Sequence, residues 1–537
     1  IEDKPEVKKA GGVYYTPTYI VDYIVNNSVG KLISPLSQRG DTGGFQNPKQ
    51  VSSLKILDPA CGSGSFLLGA YQYLLDWHLK YYLQDLETSN KLLQQKHPPV
   101  YINDRGHYLL TTSEKKRILL NNIYGVDIDS QAVEVTKLSL MLKVLEGEST
   151  QTLNNELQFF RERALPDLSN NIKCGNSLIG PDFYNQGEMN FLDDEEKMRI
   201  NVFDWNTEFK DIMNAGGFDV VIGNPPYVRQ ELIGEFKTYF EKYYNVYHGI
   251  ADLYSYFIEK AVTLLKARGY FCYIVANKWM RANYGEPLRK WMKDQNLIEI
   301  IDFGDLPVFK GATTYPCIIN ITKGKLNSEI NVVQLKSLEF NSLMEVVNET
   351  SFSVKSSALN DSGWNLVHTE QKELLDKIFK QGVTLEQYVN KKIYRGVLTG
   401  LNKAFGIDEE TKNRLIKEDK KSAEIIKPFL AGRDIKRYNS IEADKYLILF
   451  PKGFTNHNSD NTKNAWNWLQ TNYSAITIHL KQYEEDARKR FDKGDYWWEL
   501  RTCDYYDEFE KSKILLPDIS LKGNYTLDCN GGFYCGN

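Results

Sequence analysis

Leu54-Lys55-Ile56-Leu57-Asp58-Pro59-Ala60-Cys61-Gly62-Ser63-Gly64-Ser65-Phe66-Leu67-Leu68 reads as a short apolar strand, a glycine-rich turn and the start of a helix. Gly62 and Gly64 let the backbone approach a ligand closely, and the helix start offers free N–H groups. The turn has neither the spacing of the dinucleotide-binding G-x-G-x-x-G nor the lysine of a P-loop. Working outward, apolar strands recur at 123–129, 220–222, 270–275, 298–303 and 316–321, with helical periodicity between them. This alternation through about residue 325 points to a doubly wound α/β domain. The polar, charged residues 76–120 delay the second strand and read as a helical insertion.

A chain of 537 residues is too long for one small core, so two or three domains are expected. The seven cysteines are scattered without a C-x-x-C pair, which argues against a zinc site or a disulfide framework. No signal peptide and no apolar run of membrane-spanning length is present, so a reduced cytoplasm is the expected location. Ile1 rather than Met opens the chain, and a fragment or processed product is the expectation. The net charge of −4 does not announce a nucleic-acid binder, but it hides a local excess. Residues 391–440 carry 13 Lys/Arg against 7 Asp/Glu, and local basic patches make the phosphate footprint.

Phe218-Asp219-Val220-Val221-Ile222-Gly223-Asn224-Pro225-Pro226-Tyr227 is a strand running into a rigid polar loop that ends in an aromatic ring. These residue types suit an exocyclic amine conjugated to a ring, a poor nucleophile because its lone pair is delocalised. The Asn224 side-chain oxygen and the Pro225 carbonyl can accept its N–H bonds and favour a more pyramidal nitrogen. Pro225 and Pro226 fix φ and hold those acceptors in place. Tyr227 offers a face on which a flat base stacks.

Other candidates cluster around strand ends. Thr16 or Thr18 caps a helix with Pro17 near its first turn, and such a start also suits a carboxylate. In Gly125-Val126-Asp127-Ile128-Asp129, an acid ending the second strand suits ribose hydroxyls. Asp127 is the candidate, Ile128 would flank an adenine, and Asp129 is the better candidate for a helix cap. Asn176 sits where a polar side chain meets an adenine amine, or it is a turn residue. Phe309, on the loop 306–312, sandwiches a base against Tyr227 or is a satellite core aromatic. Residues 326–375 carry short strands and Ser/Asn-rich turns and read as a linker region.

Four motifs stand in order: Tyr15-Thr16-Pro17, Asp58 to Gly64, Gly125 to Asp129, and Asn224 to Tyr227. Together they resemble the adenine-N6 DNA methyltransferases of the gamma arrangement, in which the target-recognition domain comes last. The methylase part of Type IIG restriction–modification enzymes and related phage-defence methylases is most similar, over residues 11–325. The basic segments 393–405 and 426–438, and the stretch 509–517, are similar to that family's recognition domains. The resemblance implies a mostly parallel, Rossmann-like methyltransferase sheet over 1–325, with the insertion at about 76–120. The linker would follow at 326–375, and an incomplete α+β recognition domain would occupy 376–537.

It also implies site-specific methyl transfer from S-adenosylmethionine to N6 of an adenine flipped from double-stranded DNA, without a metal, in a restriction–modification or phage-defence system. Tyr15, Thr16 and Pro17 would hold the methionine end of the cofactor. Asp58, Pro59, Ala60, Gly62, Ser63 and Gly64 would wrap it, Asp127 would take its ribose, and Ile128 and Asn176 its adenine. The family often has Asp at the position of Asn176. Asn224, Pro225, Pro226 and Tyr227 would bind the target adenine, with Phe309 on its other face. Arg395, Lys403, Arg433, Lys436 and Arg437 would contact DNA. Two alternatives carry the same motifs: a protein glutamine methyltransferase, whose substrate nitrogen is also planar, and a catalytically inactive DNA-recognition subunit. No matched nuclease motif accompanies Pro517-Asp518, so a nuclease would belong to a domain or subunit absent from this chain.

Overall fold

The computed structural model describes residues 15–33, 45–84, 86–148, 165–185, 194–228, 234–309, 314–367, 369–390, 392–437, 441–459, 464–518, 520 and 522–536. Residues 11–14, residues 37–44 of the Ser/Gly/Gln/Asn-rich stretch 37–53 that the sequence suggests is a surface loop, and residues 310–312 of the Phe309 loop lie outside these. The described chain forms two compact units, one up to Asp376 and one from Lys377 onward.

In the first unit the strands in chain order are β1 (Ile56–Asp58), β2 (Val100–Ile102), β3 (Tyr108–Leu110), β4 (Ile123–Asp127), β5 (Ile172–Cys174) and β6 (Phe218–Gly223). There follow β7 (Leu265–Ala276), β8 (Asn296–Asp302), β9 (Pro316–Thr322), β10 (Glu329–Gln334) and β11 (Phe352–Lys355). Among the described residues nine of these make one sheet in the order β11-β10-β8-β9-β7-β6-β1-β4-β5. The block β5-β4-β1-β6-β7 is parallel throughout. Strand β9 runs antiparallel between β7 and β8, so the sheet is mixed.

Both faces are covered, which is why the strands read as unbroken apolar runs. Along β7, Phe271, Tyr273 and Val275 enter one core while Cys272 and Ile274 enter the other. The first core is closed by helices such as Tyr254–Thr263 and Glu286–Lys293. The second is closed by helices Thr18–Leu32, Ser65–Tyr82 and Ser130–Leu145.

Chain order reverses at β1. It steps outward to β4 and β5, then returns to place β6 on β1's other side, with Leu57 opposite Val221. In open α/β sheets the crevice at such a reversal is where ligands bind, outside the carboxyl ends of the strands. The turn after Asp58 and the turn after Gly223 therefore emerge side by side.

Two stretches differ from the sequence reading. The insertion is not wholly helical: β2 and β3 pair as an antiparallel ribbon between helices Leu86–Leu93 and Thr112–Asn122. Residues 326–375 are not a linker up to Lys355. Strand β10 pairs with β8 and β11 pairs with β10, extending the main sheet. Strands of three to six residues carry too little periodic signal to reveal edge pairing, which distant neighbours decide.

The second unit holds β12 (Gly406–Asp408), β13 (Ile426–Ala431), β14 (Lys445–Ile448), β15 (Lys513–Leu515), β16 (Thr526–Asp528) and β17 (Tyr534–Gly536). Four of them form a sheet in the order β12-β14-β13-β17. Its core gathers Phe450, Trp497, Trp498 and Leu500. Arg490, almost fully buried, donates to the carbonyls of Thr399, Ala487, Trp497 and Glu499 and ties these segments together.

Candidate active site

The turn after β1 is built to leave space. Gly62 has φ +52° and Gly64, at the N-cap of helix Ser65–Tyr82, has φ +84°, both in the left-handed region that disfavours side chains. The Gly62 N–H donates to Asp127 Oδ2 at 2.7 Å, and the Thr136 hydroxyl donates to the Gly62 carbonyl at 2.7 Å. The Ser177 hydroxyl donates to the Pro59 carbonyl at 2.5 Å and joins the turn after β5 to the same cradle. A Cβ built on Gly62 would meet nothing within 4 Å, so the turn faces open space.

Two carboxylates line this cradle. Asp58 is 2 % exposed and accepts from the Ala60 N–H at 3.0 Å. Burial, with a smaller push from Asp127, raises its pKa to about 8, partly offset by the Ala60 bond. Burial also raises Asp127, against the N–H bonds from Asp129 and Gly62. A cationic ligand carrying hydroxyls suits such a pair. Ile128 is exposed just beyond, and Asp129 caps the following helix by accepting from the Gln131 N–H. Asn176 accepts the Leu178 N–H at 3.1 Å, the turn arrangement.

Strand β6 delivers the Asn224–Tyr227 loop beside Asp58. A Cβ on Gly223 would lie 2.7 Å from Asp58 Oδ1, so a larger residue there would displace the Asp58 carboxyl. Pro17 occupies the N-cap of helix Thr18–Leu32, and neither neighbouring threonine caps it through its side chain. The buried Thr16 hydroxyl instead accepts from Asn224 Nδ2 at 3.1 Å, across 208 residues. Tyr15, next to it, is 72 % exposed.

Tyr227 is half-buried, its hydroxyl 3.4 Å from the Ile274 carbonyl. It meets Tyr254 edge-to-face at 6.0 Å and Phe309 at 6.3 Å with 64° between the planes. Phe309 is 2 % exposed, so its ring is a wall of the core that touches Tyr227, and the two rings are not parallel.

Other polar groups here carry no sequence motif. Asn277, just past β7, donates to Asp302 Oδ1 at 2.7 Å, and the same oxygen accepts the Gly304 N–H at 3.0 Å. This fixes the approach to the loop that carries Phe309. The Tyr254 and Tyr284 hydroxyls lie 3.2 Å apart, and Tyr284 reaches Asp252 at 3.5 Å.

In the second unit the basic candidates are all exposed, but not equivalent. Lys403 is ion-paired with Asp486 at 2.5 Å, and Arg433 lies 3.8 Å from Asp434. Arg395, Lys436 and Arg437 are also at the surface. The run bearing Arg395 continues to Val397, which bridges Gly536, while β13, ending before Arg433, pairs with the other edge of β17. These segments thus flank one strand.

The same turns fall within matches to known proteins. The Eco57I restriction-modification methylase family model matches residues 121–309, and the N-6 DNA Methylase model matches residues 4–161. The Type II restriction enzyme and methyltransferase RM.Eco57I of Escherichia coli is 30 % identical over 75 % of the chain. The chain spans only 36 % of that relative's length. The Type II methyltransferase M.BstVI of Geobacillus stearothermophilus is 24 % identical over 97 % of the chain and 80 % of its own length. Among solved structures, the Type IIL restriction-modification enzyme MmeI in complex with DNA shares the fold with a TM-score of 0.57. That likeness is at 15 % identity and covers 97 % of this chain and 59 % of that one. The two family models between them take in the Thr16, Gly62, Asp127 and Asn224 turns, and the chain is similar through them to N6-adenine DNA methyltransferases of Type II restriction–modification systems.

Proposed function

We propose that the chain transfers a methyl group from S-adenosylmethionine to N6 of an adenine flipped out of duplex DNA. The observation that carries this reading is the Thr16–Asn224 hydrogen bond beside the Gly62 turn at the point of strand reversal. It joins a cofactor-side segment to the amine-binding loop. The cofactor, when bound, supplies a methyl group on an activated leaving group, so the protein's task is positioning.

Tyr15, Thr16 and Pro17 hold the cofactor's amino-acid end, and Asp58 with Pro59 to Gly64 wraps its middle. Asp127 takes the ribose hydroxyls, and Ile128 and Asn176 border its adenine. Asn224 and the Pro225 carbonyl accept the N–H bonds of the target amine, and Pro226 keeps the loop rigid. Tyr227 stacks on the flipped base, and Phe309 closes the wall behind it. Arg395, Lys403, Arg433, Lys436 and Arg437 supply phosphate or base contacts from a target-recognition unit beginning near residue 376. The partner is double-stranded DNA, the nuclease of the system lies on another domain or subunit, and the compartment is the cytoplasm.

Labelled methyl from S-adenosylmethionine is expected on duplex DNA and not on glutamine-bearing protein. Label on protein alone overturns the reading.

Tyr227→Ala is expected to lower kcat/KM on duplex DNA by about 10- to 100-fold, the loss of roughly 1–3 kcal/mol of base stacking. Tyr227→Phe keeps the ring and should stay within about threefold of the parent. Steady-state kinetics on one duplex compares the two.

Asp58 gives a test without turnover. With its pKa near 8, Asp58 is largely protonated at pH 7 in the free protein. A cationic cofactor favours the carboxylate, so binding at pH 7 releases up to about one proton and binding well above pH 8 releases almost none. Calorimetry in buffers of different ionisation enthalpy measures this difference. The sign for folding follows from the raised pKa. The native state holds a proton that the unfolded state has lost between about pH 4 and 8, so stability of the free protein falls as pH rises through that window. Asp58→Asn should remove both effects.

A further inference from the structure

The segment that follows β7 is mounted more firmly than a connecting loop requires. Asn277–Met280 and Asn283–Gly285 form two short 3₁₀ turns leading into helix Glu286–Lys293. Trp279 and Met280 point into the core, and Trp279 packs edge-to-face on Trp364 at 5.0 Å. Arg289, with no exposed surface, donates to the carbonyls of Trp279, Ala282, Asp361 and Ser362. A Cβ on Gly285 would lie 2.0 Å from the Trp279 carbonyl oxygen, so the turn closes tightly. Backbone acceptors shielded from water need partners, and one guanidinium bonds four carbonyls here, that of Trp279 fully buried.

This strap carries two outward cations, Lys278 and Arg281, both exposed. Among the described residues neither makes an ion pair. It leaves the carboxyl end of β7, which is parallel to β6, so it rises on the same edge of the sheet as Asn224. Tyr284, in the strap, contacts Tyr254, and Tyr254 contacts Tyr227. The cations therefore sit on a rigid frame linked through Tyr254 to the Tyr227 ring.

We infer that Lys278 and Arg281 bind phosphates of the DNA backbone beside the flipped adenine, so that the methyltransferase unit itself grips the substrate. This rests on the reading of DNA as substrate given above. Phosphate contacts release condensed counterions, and each contributes about 0.9 to the slope of log affinity against log salt on duplex DNA.

The test is a salt titration of duplex binding by the full chain, with S-adenosylmethionine affinity measured in parallel. The Lys278→Ala/Arg281→Ala variant should lose about 1.8 from the magnitude of that slope, each single variant about half as much, and Lys278→Arg/Arg281→Lys should restore it. Cofactor affinity should stay within about twofold in all of them, since other residues carry it. A double variant with the parent's slope overturns the inference while leaving DNA methylation standing. A parent chain that does not bind duplex DNA overturns both.

Discussion

Replacing Asn224 with Ala is expected to reduce the methyl-transfer rate by at least about 10²–10³-fold, the range seen when one preorganised hydrogen-bonding group is removed from a reacting centre. The adenine amine loses the side-chain oxygen that draws its N–H away from conjugation, and the nitrogen stays flat and unreactive. The effect should fall on kcat. Duplex affinity should change little because phosphate contacts dominate it. Cofactor affinity should weaken by no more than about 1 kcal/mol, since Thr16 loses a single partner. Single-turnover rates with saturating DNA separate these effects. A rate within tenfold of the parent would remove Asn224 from the chemistry.

The largest loss of stability is expected from Arg289→Ala. Four backbone carbonyls in two segments, 279–282 and 361–362, would lose their donor, and a cavity would open where the guanidinium lay. Together these cost on the order of 3–5 kcal/mol. Arg289→Lys should recover only part of it, because an ammonium is a compact group that cannot span four acceptors at once. Urea titration followed by tryptophan fluorescence, to which Trp279 and Trp364 beside this network contribute, measures the loss. The expected result is a lower midpoint with an unchanged slope. A midpoint equal to the parent's would mean that the strap is held by other contacts.

These two residues also mark what was legible in the sequence. Asn224 announces itself because strand, glycine, two prolines and tyrosine are adjacent in the chain, and the chemistry proposed for it follows from residue type. The Asp58–Gly64 turn and the Asp127 strand end are legible for the same reason: local backbone demands write themselves as local residue choices. The parallel block of the sheet followed from its long apolar runs, buried on both faces.

Arg289 left no such trace. Its partners are carbonyls, which every residue has, and they lie up to 73 positions away. Thr16 suits either a helix cap or a carboxylate by sequence, but Pro17 takes the N-cap position without a side-chain bond, and the Thr16 hydroxyl accepts from Asn224, 208 residues distant. The ribbon of β2 and β3 and the edge strands β10 and β11 are too short for periodicity to show. Phe309 was expected on a loop and is there, but its ring is packed against core residues as the alternative reading allowed.

The central claim is that the Asn224 loop methylates adenine N6. It is tested most directly by incubating the chain with S-adenosylmethionine and unmodified duplex DNA of mixed sequence, digesting the DNA to nucleosides and identifying the methylated one by mass spectrometry. N6-methyladenine that appears with the parent chain and vanishes with Asn224→Ala is the predicted result. Methyl groups on cytosine, or N6-methyladenine that persists at the parent's level in Asn224→Ala, would contradict it.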